Sequence, residues 1–340
     1  MITQTQRNSG FALSGLLIGA GFFAEHHAEA WKRIDGVGIL AVADPTPGKA
    51  AAFAARHGIP RSYECTEDML QREPAAFVDI TTRPDTHLPL TRLAAAMGLN
   101  VICQKPMAPT LHECITMCEV CEAADVRLLI HENWRWQPWY REAKRLIEDG
   151  TIGAIHHLSF DWRTGDGNGP EPYAEQPYFR DMPRFIIFES LVHILDTLRF
   201  LAGELEITGC MTRRVNPLIA GEDWAEIKVR FASGSTGFIH GDRQTGPVPS
   251  PVAMGSMEIE GEQGTLRITP DGSVSINGRH LDFTPSTTGY KGDSVFATQK
   301  HLIDCLRNRQ EAESEGRAYL RTVRLVENAY SFTQPALSSA

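Results

Sequence analysis

The chain has 340 residues, and its 42 aspartates and glutamates outnumber its 33 lysines and arginines, which gives a net charge of −9 at pH 7. That charge argues against nucleic acid and membranes as partners, because both are anionic and no local cluster of basic residues reverses the sign. The length exceeds that of most single domains, and we expect two, at residues 1–131 and 132–340.

Short apolar runs alternate with alanine-rich amphipathic segments over the first domain. Residues 11–24, FALSGLLIGAGFFA, predict a strand and a glycine turn rather than a signal peptide, because three glycines interrupt the run. Strands separated by helices of this length form βαβ units, so we predict an α/β fold with a doubly wound parallel sheet. The predicted strands lie in LSGLLIGAG, GILAVADP, AAFVDITT, NVICQKP and VRLLIHEN, and the helices in AEHHAEAWKRI, KAAAFAARHG, HLPLTRLAAAMG and LHECITMCEVCEAAD.

From residue 132 onward the pattern changes to longer alternating runs joined by glycine turns, which are typical of antiparallel strands. The predicted strands lie in AIHHLSFDW, AEIKVRFASG, STGFIHGD, MEIEGEQGTLRI and VSINGRHLDF. We also predict a long loop at residues 164–184, rich in glycine, proline and tyrosine, and such loops often carry binding residues. The predicted helices span residues 140–149, 188–201, 294–308 and 318–332.

The seven cysteines are odd in number and unevenly spaced, which favours reduced thiols in the cytoplasm over a disulfide framework. Cys114, Cys118 and Cys121 fall on one face of a predicted helix. They lack a tight CxxC pair and a fourth ligand, so we interpret them as core residues rather than a zinc site. The adjacent His26 and His27 cannot share a helix face, and we predict no metal.

A glycine motif stands between the first predicted strand and helix. Residues 19–24, GAGFFA, match the dinucleotide-binding pattern GxGxxG/A. Gly19 permits the tight turn, and Gly21 lets the backbone approach a pyrophosphate held at the helix N-terminus. Asp44 ends the next strand, where a carboxylate accepts hydrogen bonds from ribose hydroxyls and repels a 2′-phosphate, and residues 45–47 offer no arginine. We predict NAD, with NADP disfavoured; the alternative role of Asp44 is a simple strand cap.

Six motifs in fixed order carry a resemblance to a known family. The order GAGFFA, AVADP, ITTRPDTH, CQKP, ENWRWQP and ESLVHILD resembles the Gfo/Idh/MocA family of nicotinamide-dependent sugar and cyclitol oxidoreductases. The resemblance runs from about residue 13 to residue 333. It implies a Rossmann domain followed by an α/β domain whose open antiparallel sheet often serves oligomerisation, so we expect a homo-oligomer, a dimer or a tetramer.

Lys105 follows a predicted buried strand and precedes a proline, at the strand edge where open α/β sheets bind ligands. The resemblance implies that Lys105 contacts the substrate hydroxyl and that the Lys105–Pro106 bond is commonly cis. Gln104 stands where the family usually has glutamate, and we expect this change to leave the lysine ammonium less stabilised. The alternative interpretation of Lys105 is a solvated lysine at a strand end.

Glu189 and His193 are four residues apart in a predicted helix, so both side chains can point to one face. The resemblance implies that this pair faces the nicotinamide, although the family usually has aspartate in place of Glu189. A histidine is a suitable base for a hydroxyl proton, and Asp196, one turn further on, is a candidate orienting partner.

Other positions match the family's loops. The resemblance places Thr82 and His87 beside the nicotinamide and Asn133 in the NWRW motif of the interdomain cleft, while Arg163 and Tyr178 either bind sugar hydroxyls or serve packing. The predicted cofactor contacts are Gly19, Gly21, Phe22, Phe23, Asp44, Thr82, His87, Gln104 and Lys105. The predicted substrate contacts are Lys105, Asn133, Arg163, Tyr178, Glu189 and His193, of which Lys105, His193 and Glu189 are the catalytic residues.

These residues favour an NAD-dependent dehydrogenase acting on a small-molecule sugar or polyol. The product is either a lactone from the C1 of an aldose or a ketone from a ring alcohol such as a cyclitol. The segments RTGDG, QPYF and FESLVH are similar to those of a branch of this family that is associated with pentoses such as D-apiose. The alternatives are a non-catalytic NAD-binding sensor and an NAD-dependent hydrolase that oxidises and re-reduces its substrate.

Overall fold

A computed structural model describes residues 11–246, 255–283 and 292–333 of the chain. These residues form two compact units, the first with residues 11–132 and 295–321, the second with residues 133–246, 255–283, 292–294 and 322–333. The division differs from the predicted 1–131 and 132–340 because residues 295–321 pack with the first unit. There the Ser314 hydroxyl donates to the Ile130 carbonyl at 2.6 Å and Arg127 Nη1 donates to the Cys305 carbonyl at 2.9 Å.

The first unit contains a six-stranded parallel sheet in the order β3-β2-β1-β4-β5-β6, which confirms the predicted Rossmann topology. Its strands are β1 (Leu13–Ile18), β2 (Val37–Ala43), β3 (Arg61–Tyr63), β4 (Phe77–Ile80), β5 (Asn100–Gln104) and β6 (Leu128–His131). Its helices before residue 132 are α1 (Phe22–Trp31), α2 (Lys49–His57), α3 (Thr66–Arg72), α4 (His87–Ala96) and α5 (Leu111–Ala123).

The central strands of this sheet are apolar because helices cover both faces. All seven residues of β2 are buried. Trp31 of α1, Phe53 of α2 and Phe77 of β4 form the core with Leu17 of β1. Strand β3 and helix α3 were not predicted. Arg61–Tyr63 is a short, largely exposed edge strand without an apolar run.

The second unit contains an eight-stranded sheet in the order β14-β13-β12-β11-β7-β10-β9-β8. The expected open antiparallel sheet is instead mixed, because β7 and β10 pair in parallel through a long crossover connection. The sequence analysis also missed β8. The strands are β7 (Ile155–Arg163), β8 (Leu205–Arg213), β9 (Trp224–Phe231), β10 (Thr236–Asp242), β11 (Ser256–Gly261), β12 (Gly264–Ile268), β13 (Val274–Ile276) and β14 (Arg279–His280).

The helix predicted at residues 188–201 begins differently from a regular α-helix. A single π-helical turn, Ile186–Leu191, leads into α7 (Val192–Ala202). The Glu222 carboxylate accepts hydrogen bonds from the backbone N–H groups of Phe185 and Ile187, which ties the start of the turn to the loop before β9. The remaining helices are α6 (Pro138–Glu148), α8 (Asp293–Asn308) and α9 (Gly316–Phe332).

None of the helices in the described residues is both long enough and apolar enough to span a membrane. Predictions that concern residues 1–10 and 334–340 lie outside the described residues.

Candidate active site

The glycine turn between β1 and α1 leaves open space at the helix N-terminus. Gly19 has φ +100°, and a Cβ there would lie 3.0 Å from the Thr81 hydroxyl oxygen, so this position requires glycine. Gly21 caps α1, and a Cβ there would meet no described atom within 4 Å. Phe22, the first helical residue, is 40% exposed. The turn therefore leaves room at Gly21 for a ligand to approach the backbone, as a pyrophosphate requires.

Asp44 follows β2, and its buried carboxylate accepts hydrogen bonds from the backbone N–H groups of Ala20 and Thr46, each at 3.0 Å. Burial raises the pKa of Asp44, but the two N–H groups and Lys49 outweigh it and lower the pKa below its ordinary value. Asp44 is therefore an anion directly beside the glycine turn. This arrangement fits NAD, with the pyrophosphate over the turn and the ribose hydroxyls on Asp44.

Lys49 is a residue that sequence reasoning missed. Its ammonium lies 3.0 Å from Asp44 Oδ2, at the start of α2, and its side chain is half exposed. Lys49 lies two residues beyond the segment 45–47, which offers no arginine, and the turn at Gly48 brings its side chain back over the carboxylate. Lys49 partly offsets the charge of Asp44.

Thr82 and His87 form a closed hydrogen-bonded loop after β4. The Thr82 hydroxyl lies 2.6 Å from that of Thr86, and the two His87 ring nitrogens face the carbonyl oxygens of Met107 at 3.0 Å and Thr82 at 3.1 Å. Burial lowers the pKa of His87 more than these carbonyls raise it. The ring thus braces the loop beside Lys105, and its contact with the cofactor stays a prediction.

Lys105 directly follows β5 and is partly buried. The Lys105–Pro106 peptide bond is cis, as the resemblance implies. Gln104 is buried, and its side chain folds back so that Oε1 accepts the backbone N–H of Lys105 at 2.7 Å. Its Nε2 lies 3.3 Å from Nε2 of His27. Gln104 therefore holds the backbone at Lys105 by a direct hydrogen bond.

His193 lies in the first turn of α7 in the second unit. Its ring is buried and stacks on Trp134, with a centroid distance of 4.7 Å and an interplanar angle of 28°. Asn133, next to Trp134, is also buried and donates from Nδ2 to the Ser294 hydroxyl at 3.0 Å. The NWRW segment and α7 therefore build one packed group around the histidine.

Asp196, the predicted orienting partner of His193, is engaged by Arg135. The guanidinium donates from Nε and Nη2 to the two carboxylate oxygens at 2.7 Å each, and the Thr322 hydroxyl donates to Oδ1 at 2.9 Å. This buried, bidentate pair fixes the NWRW segment against α7. Asp196 thus holds the NWRW segment in place, and Trp134 of that segment packs on His193.

Glu189 lies in the π-helical turn, so its i, i+4 spacing to His193 does not fix a shared face in the way expected of one regular helix. Its Oε2 accepts a hydrogen bond from the Ser190 hydroxyl at 2.8 Å. Arg243 Nη1 donates to the same hydroxyl at 3.2 Å and lies 3.9 Å from Glu189 Oε2. Glu189 therefore belongs to a polar group centred on a buried arginine.

Arg243 directly follows β10, and sequence reasoning did not single it out. Its guanidinium forms an ion pair with Asp166 of the long loop. Burial lowers the pKa of Arg243, but Asp166 and Glu189 raise it by more than burial lowers it. The pKa therefore lies above its ordinary value, and the guanidinium stays charged. The signal in the sequence is a charged residue directly after an apolar strand, in FIHGDR. Aromatic rings surround the guanidinium at 4.8–5.8 Å, from Trp162, Tyr173, Phe179 and Phe185.

Arg163 and Tyr178, the two candidates for sugar hydroxyls, lie in different settings. Arg163, at the end of β7, is exposed and pairs with Asp161 at 3.2 Å. The Tyr178 ring packs edge-on against Phe179, and its hydroxyl donates to Gln176 Oε1 at 3.3 Å. Tyr178 thus belongs to the long loop that wraps Arg243.

The three cysteines of α5 lie in the core, where burial raises the pKa of Cys118 to about 11 and of Cys121 to about 12. Within the described residues, no three His, Cys, Asp or Glu side chains are grouped to hold a metal ion. The thiols of Cys118 and Cys121 therefore remain protonated, and all three buried thiols act as apolar packing groups.

The fold and the glycine turn are those of a dinucleotide-binding domain. Residues 13–132 match the oxidoreductase family with an NAD-binding Rossmann fold, and residues 140–267 match the GFO/IDH/MocA C-terminal domain. The chain therefore belongs to the Gfo/Idh/MocA family, and its cofactor is NAD.

Individual relatives match nearly the whole chain. It is 36% identical to the D-apiose dehydrogenase of Paraburkholderia graminis over 93% of this chain and 86% of the relative. It is 34% identical to the D-apiose dehydrogenase of Rhizobium rhizogenes over 94% of each chain. A crystal structure of an oxidoreductase from Agrobacterium radiobacter in complex with NAD+, L-tartaric acid and magnesium is 34% identical. It has a TM-score of 0.88 and covers 94% of this chain and 96% of its own.

Proposed function

We propose that the protein is an NAD-dependent dehydrogenase that oxidises a sugar or polyol. The observation that carries this proposal is Lys105, which follows the buried strand β5 at the carboxyl edge of an NAD-binding parallel sheet. Two D-apiose dehydrogenases at 34% and 36% identity support a pentose as substrate. We propose that this pentose is oxidised at C1 to a lactone.

In this proposal His193 accepts the proton of the substrate hydroxyl while a hydride leaves the adjacent carbon. Lys105 donates a hydrogen bond to the same oxygen and stabilises the negative charge that develops on it. Acid–base assistance of this kind contributes about 10²–10⁴-fold in rate. Bound NAD supplies the hydride acceptor. Glu189, held by Ser190 and Arg243, orients the substrate or the histidine.

The remaining predicted residues take binding roles in the proposal. The backbone at Gly19 and Gly21 binds the pyrophosphate, and Asp44 binds the ribose hydroxyls. Phe22, Phe23 and Thr82 contact the cofactor, and His87 and Gln104 hold the segments beside it. The sugar hydroxyls contact Asn133, Tyr178 and Arg163.

We propose also that the protein is a cytoplasmic homo-oligomer, a dimer or a tetramer. Six buried cysteines with no disulfide among the described residues suit a reducing compartment. The large sheet of the second unit suits association between copies. Light scattering during size-exclusion chromatography gives the mass of the assembly, and a single mass near 37.7 kDa would contradict oligomerisation.

The test of the function is NADH formation at 340 nm with purified protein and NAD. The substrates are D-apiose, other aldopentoses, aldohexoses and inositols, with NADP as a second cofactor series. NADH formation with a pentose would support oxidation to a lactone. NADH formation with inositols alone would contradict a lactone product and favour oxidation of a ring alcohol to a ketone. NAD binding without turnover on any substrate would contradict the sugar dehydrogenase and favour a sensor, whereas sugar conversion without net NADH would favour an internal redox hydrolase.

A further inference from the structure

A chain of buried polar side chains lies behind Lys105 in the first unit. Asp79 Oδ2 of β4 lies 2.8 Å from His27 Nδ1 and accepts the indole N–H of Trp31 at 2.7 Å. His27 Nε2 lies 3.3 Å from Gln104 Nε2, and Gln104 Oε1 accepts the backbone N–H of Lys105 at 2.7 Å. His27 and Asp79 are both 0% exposed. The chain connects an internal carboxylate to the proposed catalytic lysine.

The direction of every hydrogen bond in this chain follows from one fixed donor. The backbone N–H of Lys105 can only donate, so the amide oxygen of Gln104 faces it and the amide nitrogen faces His27. His27 Nε2 must then accept, which puts the ring proton on Nδ1, where it is donated to Asp79. Neutral His27 is therefore the form that satisfies both neighbours.

Gln104 is the residue that makes a neutral His27 possible. A glutamate at position 104, as the family resemblance leads one to expect, would offer only acceptor oxygens to His27 Nε2 and to the Lys105 N–H. His27 would then have to carry a second proton between two carboxylates, or one buried hydrogen bond would be lost. Gln104 and a singly protonated His27 are thus a matched pair.

Several elements pack around the His27 ring. Among the described residues, the titratable side chains facing it are Asp79 of β4 and His131 of β6, whose ring centroid lies 4.0 Å away. The Phe23 ring packs edge-on at 5.5 Å, and Gln299 of α8 donates to the His27 carbonyl at 3.4 Å. The ring is enclosed by protein on these sides, so its orientation is fixed.

We propose that His27 and Asp79 are positioning residues for Lys105, acting through the amide of Gln104. This inference rests on the proposed function, because it gives the pair a role in placing the lysine that contacts the substrate oxygen. Asp79 fixes the tautomer of His27, His27 fixes the orientation of the Gln104 amide, and the amide fixes the backbone at Lys105.

The test is Gln104→Glu, which preserves size and reverses the polarity of the atom that faces His27. At pH 8 we expect kcat to fall about tenfold with little change in KM or NAD affinity, the effect of one mismatched buried hydrogen bond. Gln71→Glu, on the exposed face of α3, adds the same charge and is the control. It should leave kcat, KM and NAD affinity unchanged. A folded Gln104→Glu with wild-type kcat at pH 8 would overturn the proposal.

Histidine ¹⁵N NMR tests the same inference without turnover. The wild-type protein at pH 8 should show His27 with a protonated Nδ1 and an unprotonated Nε2, assigned by the loss of its signals in His27→Gln. The opposite tautomer would overturn the proposal. Absence of sugar oxidation by the wild type, together with the expected tautomer, would contradict only the proposed function and retain the hydrogen-bonded chain.

Discussion

Replacing Arg243 by methionine tests the group that holds Glu189. The change keeps most of the side-chain length but removes the guanidinium that pairs with Asp166 and donates to Ser190. Loss of one partner of a buried ion pair costs about 3–5 kcal/mol. Asp166 is 28% exposed, so we expect the lower end, about 3 kcal/mol, in the free energy of unfolding.

Activity should fall more than stability alone explains, because Glu189 Oε2 lies 3.9 Å from the guanidinium and shares the Ser190 hydroxyl with it. A small displacement of a substrate-positioning group costs about 10²-fold in rate, and we expect this loss in kcat/KM for the sugar. NAD affinity should stay unchanged, because the contacts of Arg243 described above all lie in the second unit. Arg243→Lys keeps the charge without the planar fork and should recover part of the loss.

The assays are urea unfolding, NADH formation at 340 nm and NAD titration by fluorescence. Arg214→Met, which removes an exposed arginine from the same unit, is the matched control and should leave all three unchanged. A folded Arg243→Met with wild-type kcat/KM would refute the positioning of Glu189 by Arg243.

Two further predictions concern charge. Lys49→Gln removes the cation 3.0 Å from Asp44, so the preference for NAD over NADP should rise several-fold in fluorescence titrations; an increased affinity for NADP would contradict this. Burial raises the pKa of Glu222 above 4.5 in the folded state despite its hydrogen bonds, so ionisation opposes folding. The stability of the wild type relative to Glu222→Gln should therefore fall as pH rises above 4.5 through the raised pKa, measured by urea unfolding at several pH values. A relative stability that rises over the same interval would refute the reasoning.

Short sequence patterns correctly predicted the glycine turn and the parallel sheet, because neighbouring residues largely determine both features. The glycine turn requires a positive φ at Gly19, and the glycine that meets this requirement stands in the recognisable local motif GAGFFA. The alternation of apolar strands and amphipathic helices likewise specified the parallel sheet. The short strand β3 escaped detection because it is polar and lies at the sheet edge, where burial imposes no apolar pattern.

Contacts between residues far apart in the sequence explain the remaining differences between the predicted and the observed structure. The parallel pairing of β7 with β10 joins residues 79 apart, for example His157 with Thr236, and no strand pattern records which neighbour is chosen. The contact between Gln104 and His27 spans 77 residues. Sequence reasoning identified Gln104 as a departure from the family and considered His27 only as a metal ligand, and the fold was needed to bring them together.

The central claim is that Lys105 serves the chemical step rather than cofactor binding. The most direct measurement compares Lys105→Met with the wild type in NADH formation at 340 nm with D-apiose, together with the Kd for NAD of each protein. The account predicts that the variant binds NAD with wild-type affinity and shows no measurable turnover. Turnover by Lys105→Met at the wild-type rate would contradict it.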